Sequence, residues 1–246
     1  YIETMRLMGR YLNVLNGGYV IGPFSLAGLL LGASDAAIAT VTDPQLLHAV
    51  LRFSSGVISR YARALERAGA DMIAILEPTA SFLSPAQFRE FSGRYVREIM
   101  STLKTVPILH VCGQTSHLIE AMVETGAQGL SLDSMVDFPT VIRRVPENVA
   151  LIGNLDTVRV MIELTPNEVY RATRDLMDAM ASYPNFILSS ACDLPMETPL
   201  ENIHAMMDAG RGRAPGEEEN GWPGEYTEEY DGLHEKALRQ SDPVNE

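Results

Sequence analysis

The chain has 246 residues, 46% of them hydrophobic, and a formal net charge of -13 from 32 acidic against 19 basic side chains. That length and apolar content suit one large core followed by a tail, the size of an ordinary α/β barrel. The charge argues against a nucleic-acid partner, because gripping phosphates takes clustered Lys and Arg and none are clustered here.

The most apolar stretch, Tyr19 to Leu31, is interrupted by Gly22, Pro23 and Ser25 and falls short of the roughly 20 residues a spanning helix needs, so no membrane segment is read. The chain opens on Tyr1 with no charged-then-apolar leader, which points to a fragment or processed chain rather than a secreted precursor. In chain order, a short strand is predicted at Tyr19 to Ile21. Asp43-Pro44 then starts a helix that runs through Arg67 and stops at Gly69. A strand follows at Met72 to Leu76. Ser84-Pro85 opens a helix through Leu103, with the same pairing of a capping side chain and a first-turn proline.

Further strands are predicted at Pro107 to Val111, Gly129 to Leu132, Ala150 to Ile152 and Phe186 to Ser189. Between them lie a short amphipathic helix from Ser116 to Thr125, ended by Gly126, and a longer one from Thr165-Pro166 to about Ala181. Strands alternating with helices predict βα units and a parallel sheet. A closed barrel needs eight strands, and six are read here. After Gly210 the composition shifts, and Glu217 to Glu246 carries ten acids against two Lys/Arg, so the organisation expected is a barrel domain at 1–211 and an acidic, disordered tail at 212–246.

The chemistry gathers at the strand ends, which form the active face of a parallel barrel. His110 closes the third predicted strand and Cys112 follows it. Side chains alternate along a strand, so positions 110 and 112 share a side and can share a zinc ion. Cys192 stands in the equivalent place after the last strand. Three protein ligands leave a fourth position open, as catalytic zinc sites do. The plainer reading is that two free cysteines are simply buried, since Cys is among the most buried residue types. With only these two in the chain, no disulfide framework is expected and a reducing, cytoplasmic setting is.

Glu77, at the end of the second strand, offers a carboxylate as a fourth ligand, exchanged for substrate, or as a base; a solvated loop acid is the alternative. Asp133 follows the fourth predicted strand and Asn154 and Asp156 the fifth, as candidate substrate-binding groups or as caps for the helices that follow. His48, His117, His204 and His234 read as surface or satisfied positions.

Six segments together resemble the uroporphyrinogen decarboxylase superfamily over about residues 18–211. They are Gly22-Pro23-Phe24-Ser25-Leu26-Ala27, Gly69-Ala70-Asp71-Met72-Ile73, His110-Val111-Cys112-Gly113, Gly153-Asn154-Leu155-Asp156, Thr165-Pro166-Asn167-Glu168-Val169 and Pro199-Leu200-Glu201-Asn202-Ile203. The resemblance implies a TIM (β/α)8-type barrel lacking its first two βα units. The His-x-Cys pair with a Cys some 80 residues on is similar to the methylcobamide:coenzyme M methyltransferase branch.

That likeness implies Zn2+ held by His110, Cys112 and Cys192, with methylcobamide on a separate corrinoid protein as methyl donor. The acceptor it implies is a thiol such as coenzyme M, whose attack on the cobalt-bound methyl leaves cob(I)amide. Tetrahydrofolate or another thiol stays open as acceptor. The alternatives are a metal-free carboxy-lyase of the same fold acting on a tetrapyrrole, and a non-catalytic domain that binds a corrinoid protein or partner subunit.

Overall fold

Short runs rich in Ile, Val and Leu, each bounded by a turn residue, become the strands of one sheet. The structure, a computed structural model, describes residues 1–214. The acidic stretch from Glu217 to Glu246, expected to form a tail, lies outside the described residues. The strands are β1 (Gly17–Ile21), β2 (Met72–Leu76), β3 (Val106–Val111), β4 (Gly129–Leu132), β5 (Ala150–Leu155) and β6 (Phe186–Ser190).

All neighbouring pairs are parallel and the spatial order follows the chain order, β1 to β6. Parallel neighbours cannot be joined by tight hairpins, so each connection crosses over through helix, the winding that builds a β/α barrel. β5 runs three residues beyond its predicted end, which draws Gly153 and Asn154 into the sheet.

Among the described residues the α-helices are α1 (Ile2–Tyr11), α2 (Pro23–Leu31), α3 (Ala33–Thr42), α4 (Pro44–Arg67), α5 (Pro85–Phe88), α6 (Arg94–Met100), α7 (Ile119–Val123), α8 (Phe138–Val141), α9 (Pro166–Met180) and α10 (Leu200–Arg211). α4 keeps its predicted bounds, with the Asp43 carboxylate accepting from the Leu46 N–H at 3.0 Å. The single helix expected from Ser84 to Leu103 is instead broken into α5, a π turn at Arg89–Gly93, and α6.

Its start is as expected. Ser84 Oγ accepts from the Gln87 N–H at 3.3 Å while Gln87 Oε1 accepts from the Ser84 N–H at 3.1 Å, a reciprocal cap. Ser84→Ala is expected to lower stability by about 1 kcal/mol, read as a shifted urea midpoint at unchanged slope.

Alternation divides each strand between two faces. Ile73 and Ile75 of β2, Leu109 and Val111 of β3, and Leu130 and Leu132 of β4 enter the helix-side core with Phe24, Leu47, Phe88 and Phe91. A smaller cluster of Leu155, Met161, Val169 and Ala205 fastens α9 and α10 to the end of β5. The intervening residues, His110 among them, turn to the other face.

Candidate metal centre

His110 lies opposite Leu76 of β2 and Ser131 of β4 in the sheet register. Leu109 and Val111 are fully buried on the helix side, so period-two alternation sends His110 and Cys112 together to the opposite face. Cys192 arrives from β6. The Ala191 N–H donates to the Leu155 carbonyl at 2.8 Å and Ser190 Oγ donates to the Cys192 carbonyl at 2.8 Å, which keys the end of β6 to the end of β5.

The three side chains converge. His110 Nε2 is 3.0 Å from Cys112 Sγ and 3.6 Å from Cys192 Sγ, and the sulfurs are 3.4 Å apart. Among the described residues this is the one group of three His, Cys, Asp or Glu side chains whose ligand atoms lie within 4.8 Å of one another. Tetrahedral zinc with sulfur at about 2.3 Å spaces two thiolates by roughly 3.8 Å, so the cage needs only a slight opening to admit the ion. One nitrogen and two sulfurs form a donor set suited to zinc.

The ring of His110 is fixed from behind, with Nδ1 2.9 Å from Ser131 Oγ. A proton on Nδ1 donated to that hydroxyl leaves the Nε2 lone pair facing the sulfurs. Ser131→Ala is expected to weaken zinc binding by about 10–100-fold with little change in fold, measured by chelator competition.

Burial disfavours the imidazolium and holds the His110 pKa below its ordinary value, although the Asp193 and Asp133 carboxylates pull the other way. Burial also pushes the Cys112 thiol up to about 12, helped by the adjacent Cys192 thiol and by Asp133 and Asp193. A neutral imidazole and a thiol that resists ionisation, with carboxylates close by, make a place where a divalent cation would be electrostatically welcome.

Glu77, expected at the strand-end face as a fourth ligand or base, lies elsewhere, and the alternative of a solvated loop acid does not hold either. It follows Ile73 and Ile75 in alternation, so it points to the helix side of the sheet, where it is fully buried. Its Oε1 accepts from the Phe24 N–H at 2.8 Å and Ser92 Oγ at 2.9 Å, and its Oε2 accepts from the Ser25 N–H at 2.8 Å. The carboxylate thus caps the start of α2 and bonds to the π turn, and neither oxygen belongs to the His–Cys–Cys group. Desolvation raises its pKa, against the opposing effect of these donors. Gly22 makes the contact possible, since a Cβ there would sit 2.1 Å from Glu77 Oε2.

The other strand-end groups are bonded to the loops around them. Asp133 Oδ2 accepts from the Gly113 N–H at 2.9 Å and Oδ1 from the Met135 N–H at 3.0 Å. Gly113 sits at φ +85°, a conformation few other residues tolerate, which turns the chain straight after Cys112. Asn154 Nδ2 donates to the carbonyls of Asp133 at 2.9 Å and Val136 at 2.7 Å. Asp156 Oδ1 accepts from the Val158 and Arg159 N–H groups, and its Oδ2 accepts from Ser134 Oγ at 3.3 Å. Ser131 and Ser92 went unnoticed in the sequence, since only the strand register and the tertiary packing bring them to His110 and Glu77.

A parallel β/α sheet with an imidazole at one strand end and a sulfur beyond each of two defines the class, an α/β protein of barrel type with a His–Cys–Cys group that could hold a metal ion. Residues 1–213 match the uroporphyrinogen decarboxylase (URO-D) family, and the chain belongs to that family. It is similar to the methylcobamide:CoM methyltransferase MtbA of Methanosarcina acetivorans, at 35% identity over 200 residues covering 79% of this chain and 57% of the relative. It is also similar to the uroporphyrinogen decarboxylase of Desulfotalea psychrophila, at 26% identity over 216 residues covering 85% of this chain and 63% of the relative.

A solved methyltransferase from Methanosarcina mazei superposes with a TM-score of 0.79 at 24% identity, over 86% of this chain and 63% of that one. The fold is therefore the TIM-barrel type expected. The chain spans 57% of the length of the MtbA relative it matches. Both relatives named are enzymes. Among the described residues no single helix is long and apolar enough to cross a membrane.

Proposed function

We propose that this chain carries the zinc centre of a corrinoid-dependent methyltransferase, which takes a methyl group from methylcobamide on a corrinoid protein and gives it to a thiol. Coenzyme M is the acceptor named for the MtbA relative. The observation that carries this reading is the convergence of His110 Nε2 and the two sulfurs from β3 and β6.

His110, Cys112 and Cys192 would hold the zinc, which would supply a Lewis acid that lowers the pKa of an incoming thiol. The chain's own residues prepare that site. As thiolates, Cys112 and Cys192 would supply two negative charges and so temper the Lewis acidity of the ion. His110 adds a neutral ligand, oriented by Ser131. Asp133 holds the turn at Gly113 and so sets where Cys112 stands. Glu77 enters as the residue that ties α2 to β2, and not as a ligand.

A decarboxylating relative would need groups that grip the carboxylates of its substrate, and these strand ends offer acids and thiols instead. The test is to measure zinc in the purified chain and then follow loss of the methyl–cobalt bond in free methylcobalamin by absorbance, with coenzyme M present. Zinc-loaded protein is expected to transfer the methyl group and chelator-stripped protein to stop. Transfer indifferent to the metal, or a chain that takes up none, would discard the proposal.

A further inference from the structure

We infer that Cys112 and Cys192 form a reversible redox site, closing an intramolecular disulfide that expels the metal. Their sulfurs lie 3.4 Å apart across a sequence separation of 80 residues, and both side chains are partly exposed. A disulfide bond is about 2.05 Å long, so closure asks for an approach of a little over one ångström.

The surroundings permit that approach from one side. Cys112 follows β3 directly and its turn is held by Asp133, whereas Cys192 leads a stretch with no helix or strand until α10 begins at Leu200. Movement therefore falls to Cys192, whose carbonyl is held by a single side chain, Ser190. His110 is within 3.6 Å of each sulfur but offers no third thiol to compete for the oxidant.

The oxidant is a small-molecule disulfide. One cysteine sulfur attacks it, forms a mixed disulfide and expels one small thiol; the second sulfur then attacks the mixed disulfide and expels the other. Two protein thiols are oxidised and one small disulfide is reduced to two thiols. A sulfur so engaged is no longer a thiolate, and the cage drops from three ligands to His110 alone. The bond itself rests on the sulfur geometry, while the expulsion of zinc rests on the reading proposed above.

Reduced protein, both metal-free and zinc-loaded, is incubated with oxidised glutathione without air, then analysed by intact mass and by unreduced peptide mapping. The metal-free chain is expected to lose two hydrogens and to yield the Cys112 and Cys192 peptides joined. Zinc-loaded protein is expected to form the same link more slowly and to release zinc to a chromogenic chelator in step with it. Cys112→Ser is expected to keep glutathione on Cys192 as a lasting adduct, because the sulfur that would displace it is gone.

Wild-type protein that retains glutathione without joining the two peptides, or that stays reduced, overturns the proposal. A joined product in a chain that never bound zinc supports the disulfide and removes only its link to the metal.

Discussion

Cys112→Ala is expected to weaken zinc binding by more than about a hundredfold, beyond the 10–100-fold that follows loss of a residue acting behind a ligand. The cage has three donors, and removing one leaves an imidazole and a single sulfur, which water must supplement. The fold should hardly notice. Cys112 is partly exposed at the rim, and the core residues next to it in sequence point the other way. Chelator competition on the variant beside the wild type, with circular dichroism as a control, separates lost ligation from lost structure. A full zinc complement in the variant would mean that the three atoms meet for packing alone.

Glu77→Ala is expected to cost roughly 3 kcal/mol of stability while leaving zinc content unchanged. Three donors would lose their acceptor in a buried place, the Phe24 and Ser25 N–H groups and the Ser92 hydroxyl. Each such loss costs about 1–3 kcal/mol, offset in part because a buried charge is no longer required. Glu77→Gln should be damaged too, since its amide nitrogen must face one of those donors. Urea unfolding checks the first claim and metal analysis the second; a variant that folds well but lacks zinc would return Glu77 to the cage.

The same carboxylate sets a pH dependence. Its pKa in the folded chain is raised by burial above the ordinary value of 4.5. The folded chain therefore binds that proton more tightly than the unfolded chain. Glu77 favours the fold most below 4.5, and this contribution is lost as pH rises through the folded-state value. In Glu77→Ala that part of the slope should vanish.

The strands are legible because a buried parallel strand is written as a short run of Ile, Val and Leu between turn residues. α4 and α9 were legible from Asp43-Pro44 and Thr165-Pro166. α2 was not, because its nine residues are apolar on every side and show no helical period. The break between α5 and α6 was also hidden. Ser92 in the π turn bonds to Glu77, a partner fifteen residues back that only packing brings near.

His110, Cys112 and Cys192 could be proposed from spacing because parity along one strand is a local property. Glu77 obeys the same count, and Ile73 and Ile75 put it on the helix side and not at the strand-end face expected for it. Asp133, Asn154 and Asp156 are legible as polar strand ends, but the bond from Asn154 to the Asp133 carbonyl and the tie of Asp156 to Ser134 are not.

Those last three residues lace successive strand ends together, from Gly113 through Asp133 and Ser134 to Asn154 and Asp156. The lacing works as a hoop does on a cask. Slackening it at Asn154, two strands from β3, would be felt at the sulfur of Cys112 without any contact between them, so the grip on the proposed zinc would be adjustable by substitutions well outside the cage.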